Sequence, residues 1–285
     1  GASPYGPCKF HQASCCRKPS SCQNRILPFR PLLLKETGAT RIEAVTRIDF
    51  DKYEGLYARR TGGMRSSVMR DLMAIVARPE IISLAGGLPN TDSFPAETFA
   101  KVTSHIAATG CAAALQYGPT EGFDETRDNI LSVMAEEGIA ADQENIIVTT
   151  GGQQGIDLAA RILLDPGDAI ITEAPTYPGA IPSFCGFEAD VIQVPLDDEG
   201  MRMDLFKGEL EALLAAGRKP KFVYVIPNFH NPAGVSLSLE RRVELVKLAK
   251  EHQLLIVEDN PYGQLRFEGE SLPALYSLDD DNNVI

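Results

Sequence analysis

Four segments of this 285-residue chain close apolar runs with residues that could hold a small, flat, phosphorylated ligand. In order they are TTGGQQG (149–155), EAPTYPG (173–179), PNFHNPAG (227–234) and VEDNPYG (257–263). The last puts Asp259 at the tip of the run LLIVED. In an α/β protein, the C-terminal ends of strands are where ligands bind.

TTGGQQG follows a predicted strand and opens a predicted helix. Its small residues leave backbone N–H groups facing outward at the positive helix end, a cradle for a phosphate monoester. The glycines could equally serve only to make the turn, and the segment fits neither the P-loop lysine pattern nor G-x-G-x-x-G. Tyr177, between prolines, offers a ring to stack on a flat heteroaromatic group, or a cover for the sheet edge. Asn231 is held extended before Pro232 and can donate an amide N–H to a phenolate-like oxygen, although Asn-Pro is also common turn chemistry. His230 reads as a loop residue. EDNPYG supplies Glu258, Asp259 and Tyr262. A carboxylate opposite a pyridine nitrogen keeps that nitrogen protonated, and the protonated ring stabilises a carbanion beside it. Asp at a strand end serves as a metal ligand or a cap as well. A phosphate cradle, a stacking ring, an amide and a carboxylate together meet the needs of one small aromatic phosphate.

The elements that must carry these groups alternate regularly. Apolar runs at 146–150, 169–172, 191–194, 222–226 and 254–257 predict buried strands, and helical patterns fall at 154–164, 204–216 and 239–252. In the last helix Leu239, Val243 and Val246 mark the expected apolar stripe, with Ser238 as N-cap. Earlier, 95–108 and 123–137 read as helices. The fold class expected is α/β, a mainly parallel sheet with helices on both faces. Residues 1–44 show no periodicity and are expected to be a disordered leader, read through from upstream of a true start near Val45, since the chain opens with Gly. Residues 45–95 read as an arm and helix, with Val68, Leu72, Ile75 and Val76 on one face. Residues 96–285 read as a partial ligand-binding large domain.

Composition narrows the function classes. Net charge is -12 and pI about 4.9, which disfavours binding to a phosphate backbone. No apolar run spans a membrane, and ILPFRPLLL is too interrupted for a signal core, so a cytoplasmic protein is expected. Four of the six cysteines lie in the first 22 residues without zinc-ligand spacing, and Cys111 and Cys185 read as small core residues. No metal site is expected.

The motif set resembles the fold-type I, class I and II aminotransferases, and SLAGGLPN and LQYGPTEG narrow the resemblance to the α-aminoadipate/kynurenine aminotransferase-like branch. The likeness runs from about Asp51 to Ile285. It implies pyridoxal 5'-phosphate as cofactor: Gly152 and Gln153 at its phosphate, Tyr177 stacked on the ring, Asn231 and Tyr262 at O3′, Asp259 at N1. It also implies that Gly87 and Leu88 line the substrate pocket, that Arg70 gates it, and that Tyr117 reaches the site of a second subunit in a homodimer. Amino acid and 2-oxo acid would be the substrates. Where relatives often carry Ser, this chain has Gly152. The family's Schiff-base lysine lies after the next strand, which would begin near residues 283–285. Lys221, Lys247 and Lys250 are not substitutes for it, so the 285-residue chain is expected to lack turnover. Two other readings remain: an aminotransferase-like effector-sensing domain of a transcriptional regulator, or another reaction on the same cofactor, such as a β-lyase or decarboxylase.

Overall fold

The computed structural model describes residues 53, 55–63, 75, 76, 78, 80–82, 84, 87 and 89–285. The leader, Arg70, Leu88 and most of the helix expected around Val68 and Leu72 lie outside the described residues. Among the described residues, α1 (Ala96–Thr109), α2 (Cys111–Leu115) and α3 (Asp124–Glu136) come first. Then α4 (Gly152–Leu163) leads into β1 (Ala169–Ala174), α5 (Ala180–Gly186), β2 (Asp190–Asp197) and β3 (Gly200–Met201). The remainder runs α6 (Met203–Ala215), β4 (Phe222–Val225), α7 (Leu239–His252), β5 (Leu255–Glu258) and α8 (Leu275–Leu278).

The sheet order is β3-β2-β1-β4-β5. β1 pairs in parallel with β2 and β4, β4 pairs in parallel with β5, and only the two-residue β3 is antiparallel. Both faces of the sheet are covered, which is why its strands read as continuous apolar runs. Ile170 and Ile171 are both fully buried on opposite faces, as the two-residue strand period requires. Ile171, Val223, Val225 and Ile256 pack with Phe206 and Leu210 of α6 and Leu245 of α7. Ile170, Val191, Phe222 and Tyr224 pack with Ile156 and Ala160 of α4 and Phe184 of α5. Phe184 meets Phe222 and Tyr224 edge-on, with ring centroids 5.5 and 5.4 Å apart.

This order places the binding end. From β1 the chain moves outward to β2 and β3, then returns to the other flank with β4 and β5. The direction of winding reverses between β1 and β4, and a parallel sheet opens a crevice outside the strand ends at such a reversal. The segments after β1, β4 and β5 carry Tyr177, Asn231 and Asp259. Beyond β5, Ile256 N–H donates to the Asn283 carbonyl at 2.7 Å and Ile285 N–H to the Ile256 carbonyl at 2.9 Å. Residues 283–285 therefore run beside β5 in parallel, as expected for the next strand.

Several expectations need correction. The run at 146–150 is not a strand: Val148 N–H bonds the Glu121 carbonyl at 2.8 Å, no ladder forms along the run among the described residues, and Ile147 is exposed. A β-branched run signals compatibility with a sheet, not the presence of a neighbour. Helix α5 and strand β3 were not expected; α5 is short, and Pro182 falls in its first turn, where the missing N–H costs little. Cys111 is exposed because it opens α2, which buries no residue. In α7 the buried stripe is Arg242, Leu245, Val246 and Ala249, whereas Leu239 and Val243 are exposed. Ser238 occupies the cap position but its side chain makes no cap bond.

The rotation of α7 brings Arg242 under the sheet. Its Nε donates to the Leu237 carbonyl at 2.9 Å, one terminal nitrogen to the Pro273 carbonyl at 2.8 Å, and the other to the Pro227 carbonyl and Asn228 Oδ1, each at 2.8 Å. The side chain is wholly buried. Among the described residues no helix is long and apolar enough to cross a membrane.

Candidate active site

Gly151, the N-cap of α4, adopts φ 72° and ψ 164° and offers no side-chain cap, a conformation that glycine adopts without strain. The first N–H groups of α4 are then left to an outside partner. A Cβ added at Gly152 would meet nothing within 4 Å, so the turn opens onto free space. Gln153 spends its side-chain amide on the Gly179 carbonyl at 2.9 Å and Ser183 Oγ at 3.0 Å, which fixes α4 to α5. Its backbone N–H is the group it can offer a ligand.

The ring of Tyr177 lies against Gly179: a Cβ there would come within 2.5 Å of the ring carbon bearing the hydroxyl. Glycine at 179 is what lets the ring fold back over the loop. Asn231 Nδ2 stands 3.5 Å from Tyr262 Oη, at the outer limit of a hydrogen bond, so both groups can turn to a shared acceptor. Asp259 Oδ2 accepts from the Tyr224 hydroxyl at 2.5 Å.

These groups converge. Gly152, Gln153, Tyr177, Asn231, Asp259 and Tyr262 line one cavity of about 250 Å³, completed by Ile156, Ile226 and Pro261. All six residues expected at a cofactor are thus brought together. Gly87, with φ 56°, and Tyr117, 98% exposed, do not line it. Glu258 turns away, accepting from the N–H groups of Leu275 and Tyr276 at 2.9 and 3.0 Å. Lys221, Lys247 and Lys250 lie outside the cavity, in ion pairs with Asp168, Glu251 and Asp280. A larger hollow of about 660 Å³ lies between the end of α3 and the loop before α8.

Burial pushes the Asp259 carboxyl above its usual range, and the bond from Tyr224 only partly opposes this. Tyr224 is itself held as a phenol, its ionisation driven up by burial and by Asp259. Among the described residues the Asp259 side chain is partnered by that phenol and by no cation. A cationic ring nitrogen would offset the cost of burying this carboxylate. A helix terminus for a phosphate, an aromatic face, two donors for a phenolic oxygen and an unneutralised carboxylate form a donor set that fits pyridoxal phosphate.

Sequence reasoning missed two polar groups beside the cavity. Tyr224 looked like one more apolar strand residue. His230 is buried, and its Nε2 lies 3.2 Å from Oε2 of buried Glu173. No local signal in one sequence marks either, because burial of a loop histidine depends on what folds over it.

Comparison with known proteins follows the same lines. Residues 79–285 match the family "Aminotransferase class I and II", and the chain belongs to that family. It is 42% identical over 246 residues to the aromatic-amino-acid aminotransferase 1 of Thermococcus litoralis, covering 86% of this chain and 58% of that one. Among solved structures it is similar to the Pyrococcus horikoshii kynurenine aminotransferase in complex with PMP (pyridoxamine phosphate), with 39% identity and a TM-score of 0.76 over 83% of this chain and 58% of that one. It is likewise similar to LysN, the α-aminoadipate aminotransferase of Thermus thermophilus complexed with N-(5'-phosphopyridoxyl)-L-leucine, with 32% identity and a TM-score of 0.70 over 79% and 54% of the two chains. The chain thus spans about 58% of the length of the first curated relative.

Proposed function

We propose that the protein is a pyridoxal-phosphate-dependent aminotransferase that moves the amino group of an amino acid to a 2-oxo acid, acting on large side chains of the aromatic, kynurenine or aminoadipate kind. The observation that carries this reading is the convergence of six strand-end and helix-end residues on one cavity of about 250 Å³. When bound, the cofactor supplies an electron sink for the bonds at the substrate's α-carbon. The Gly152 and Gln153 N–H groups bind its phosphate at the positive end of α4. Tyr177 covers the ring face and excludes water from it. Asn231 and Tyr262 hold the ring's phenolic oxygen, and Asp259 keeps a proton on the ring nitrogen, itself aimed by Tyr224.

In this reading Gly87, Leu88 and Arg70 belong to the substrate pocket, and the protein works as a homodimer. The exposure of Tyr117 supports a place for it against a second subunit rather than in its own cavity. The similarity to relatives described as kynurenine and aminoadipate aminotransferases supports the preference for large side chains.

An amino-transfer assay tests the reading. Incubated with pyridoxal phosphate, a 15N-labelled aromatic amino acid and 2-oxoglutarate, a longer chain that carries the family's Schiff-base lysine is expected to produce 15N-glutamate in step with the new aromatic 2-oxo acid, and the 285-residue chain alone to produce none. Release of ammonia or carbon dioxide with no labelled glutamate would replace transamination with lyase or decarboxylase chemistry. Tight cofactor binding by the lysine-bearing chain with no turnover of any amino acid would favour an effector-sensing role.

A further inference from the structure

The proposed reaction makes no use of the buried pair behind the cavity. Glu173 and His230 have side chains 1% exposed, with Nε2 of the ring 3.2 Å from Oε2 of the carboxyl. The separation is that of a hydrogen bond, but the ring N–H is not aligned on the oxygen, so confinement holds the pair more than a directed bond does. The same Oε2 accepts from the Ile226 N–H at 2.8 Å, and Ile226 lines the cavity. Nδ1 of His230 accepts from the Ala233 N–H at 3.2 Å, which leaves the ring proton on Nε2, toward Glu173. The His230 backbone is also tied, its N–H donating to the Val235 carbonyl at 2.8 Å and its carbonyl accepting from the Gly234 N–H at 2.5 Å.

His230 is therefore held by the bond at Nδ1, by both backbone groups and by the close approach of Nε2 to Glu173, so its ties run to the end of β1 or within the 230–235 turn. Asn231 comes next in the chain, and among the described residues its amide has only the 3.5 Å contact with Tyr262. From this geometry we infer that Glu173 and His230 are positioning residues that aim the Asn231 amide into the cavity, by locking the 230–235 turn to the end of β1. Glu173 also stands four residues before Tyr177, so one buried pair sets the relation between the ring-stacking loop and the amide-bearing turn. The inference rests on the cofactor reading above.

Binding of pyridoxamine phosphate, titrated by its fluorescence in the protein itself, separates this role from a purely structural one. Asn231→Ala is expected to weaken binding about tenfold, the scale of one lost hydrogen bond. His230→Phe and Glu173→Leu are each expected to weaken it by a similar factor. In the double variant His230→Phe/Asn231→Ala the loss stays near tenfold, because the first change acts through the second residue. His230→Gln, which can still donate to Glu173, recovers most of the affinity and serves as the probe if the phenylalanine variant does not fold. Losses that multiply to about a hundredfold, a His230→Phe variant that binds as tightly as the parent, or a His230→Gln variant that loses as much as Asn231→Ala, overturn the inference while the cofactor reading stands. An Asn231→Ala protein with unchanged affinity removes both.

Discussion

In a chain that carries the family's Schiff-base lysine, Asp259→Asn is expected to lower the transamination rate by about two to three orders of magnitude, the scale of removing one preorganised electrostatic partner. The same change is expected to raise the melting temperature of the cofactor-free protein at pH 7. Both effects have one cause. Burial holds the Asp259 carboxyl above its ordinary value of 3.8, so the folded protein keeps that proton to higher pH than the unfolded chain does. For a carboxyl raised in this way, stability is complete below the unfolded value and falls as pH rises through the folded one. At neutral pH the ionised group is therefore a net cost to the apo fold, and asparagine removes it while still accepting from Tyr224. The gain should disappear below about pH 3.8, where the parent carboxyl is protonated too. Differential scanning calorimetry at pH 7 and pH 3.5, paired with initial rates, checks the two halves together. A variant destabilised at pH 7 with its rate intact would mean that Asp259 is a structural acid.

Arg242→Met carries the second large effect, on the fold. The guanidinium serves four acceptors, three of them backbone carbonyls. Burying a cation is itself costly, and burial does weaken its hold on its proton. Exchanging a buried ionic group for an apolar one can be neutral when its partners are exchanged as well. The Pro227 carbonyl keeps the Leu237 N–H, but the carbonyls of Leu237 and Pro273 cannot be exchanged, and each left unpaired in the interior costs about 1–3 kcal/mol. The loss outweighs the relief. A destabilisation of about 3 kcal/mol or more is expected, a fall in Tm of roughly 10 °C for a domain of this size. Urea denaturation of the variant checks it, and a midpoint within experimental error of the parent would mean that water or repacking satisfies those carbonyls.

Arg242 also shows what could and could not be read from the chain. The strand-end motifs were legible because a parallel sheet fixes where loops fall, so Tyr177, Asn231 and Asp259 could be assigned to one end before any contact was known. Gly152 was legible for a related reason, as a glycine-rich turn that opens a helix. The apolar pattern of α7 pointed to Leu239 and Val243, yet the helix buries Arg242. Four acceptors from distant segments decide that rotation, and no periodicity within the helix encodes them. Tyr224 and the Glu173–His230 pair were hidden in the same way, since their partners come from other strands and loops. The run at 146–150 failed in the opposite sense. Its residues suit a strand, but among the described residues its backbone bonds are local turns and one contact from Val148 to Glu121, with no neighbouring strand.

A crystal structure of the protein with pyridoxamine phosphate puts the central claim to its most direct test. The account predicts the ring nitrogen about 3 Å from an Asp259 carboxylate oxygen, the phosphate on the Gly152 and Gln153 N–H groups, and Tyr177 over the ring. A cofactor seated elsewhere, such as the larger hollow beside Asn260 and Arg266, with Asp259 touching only Tyr224, would contradict it.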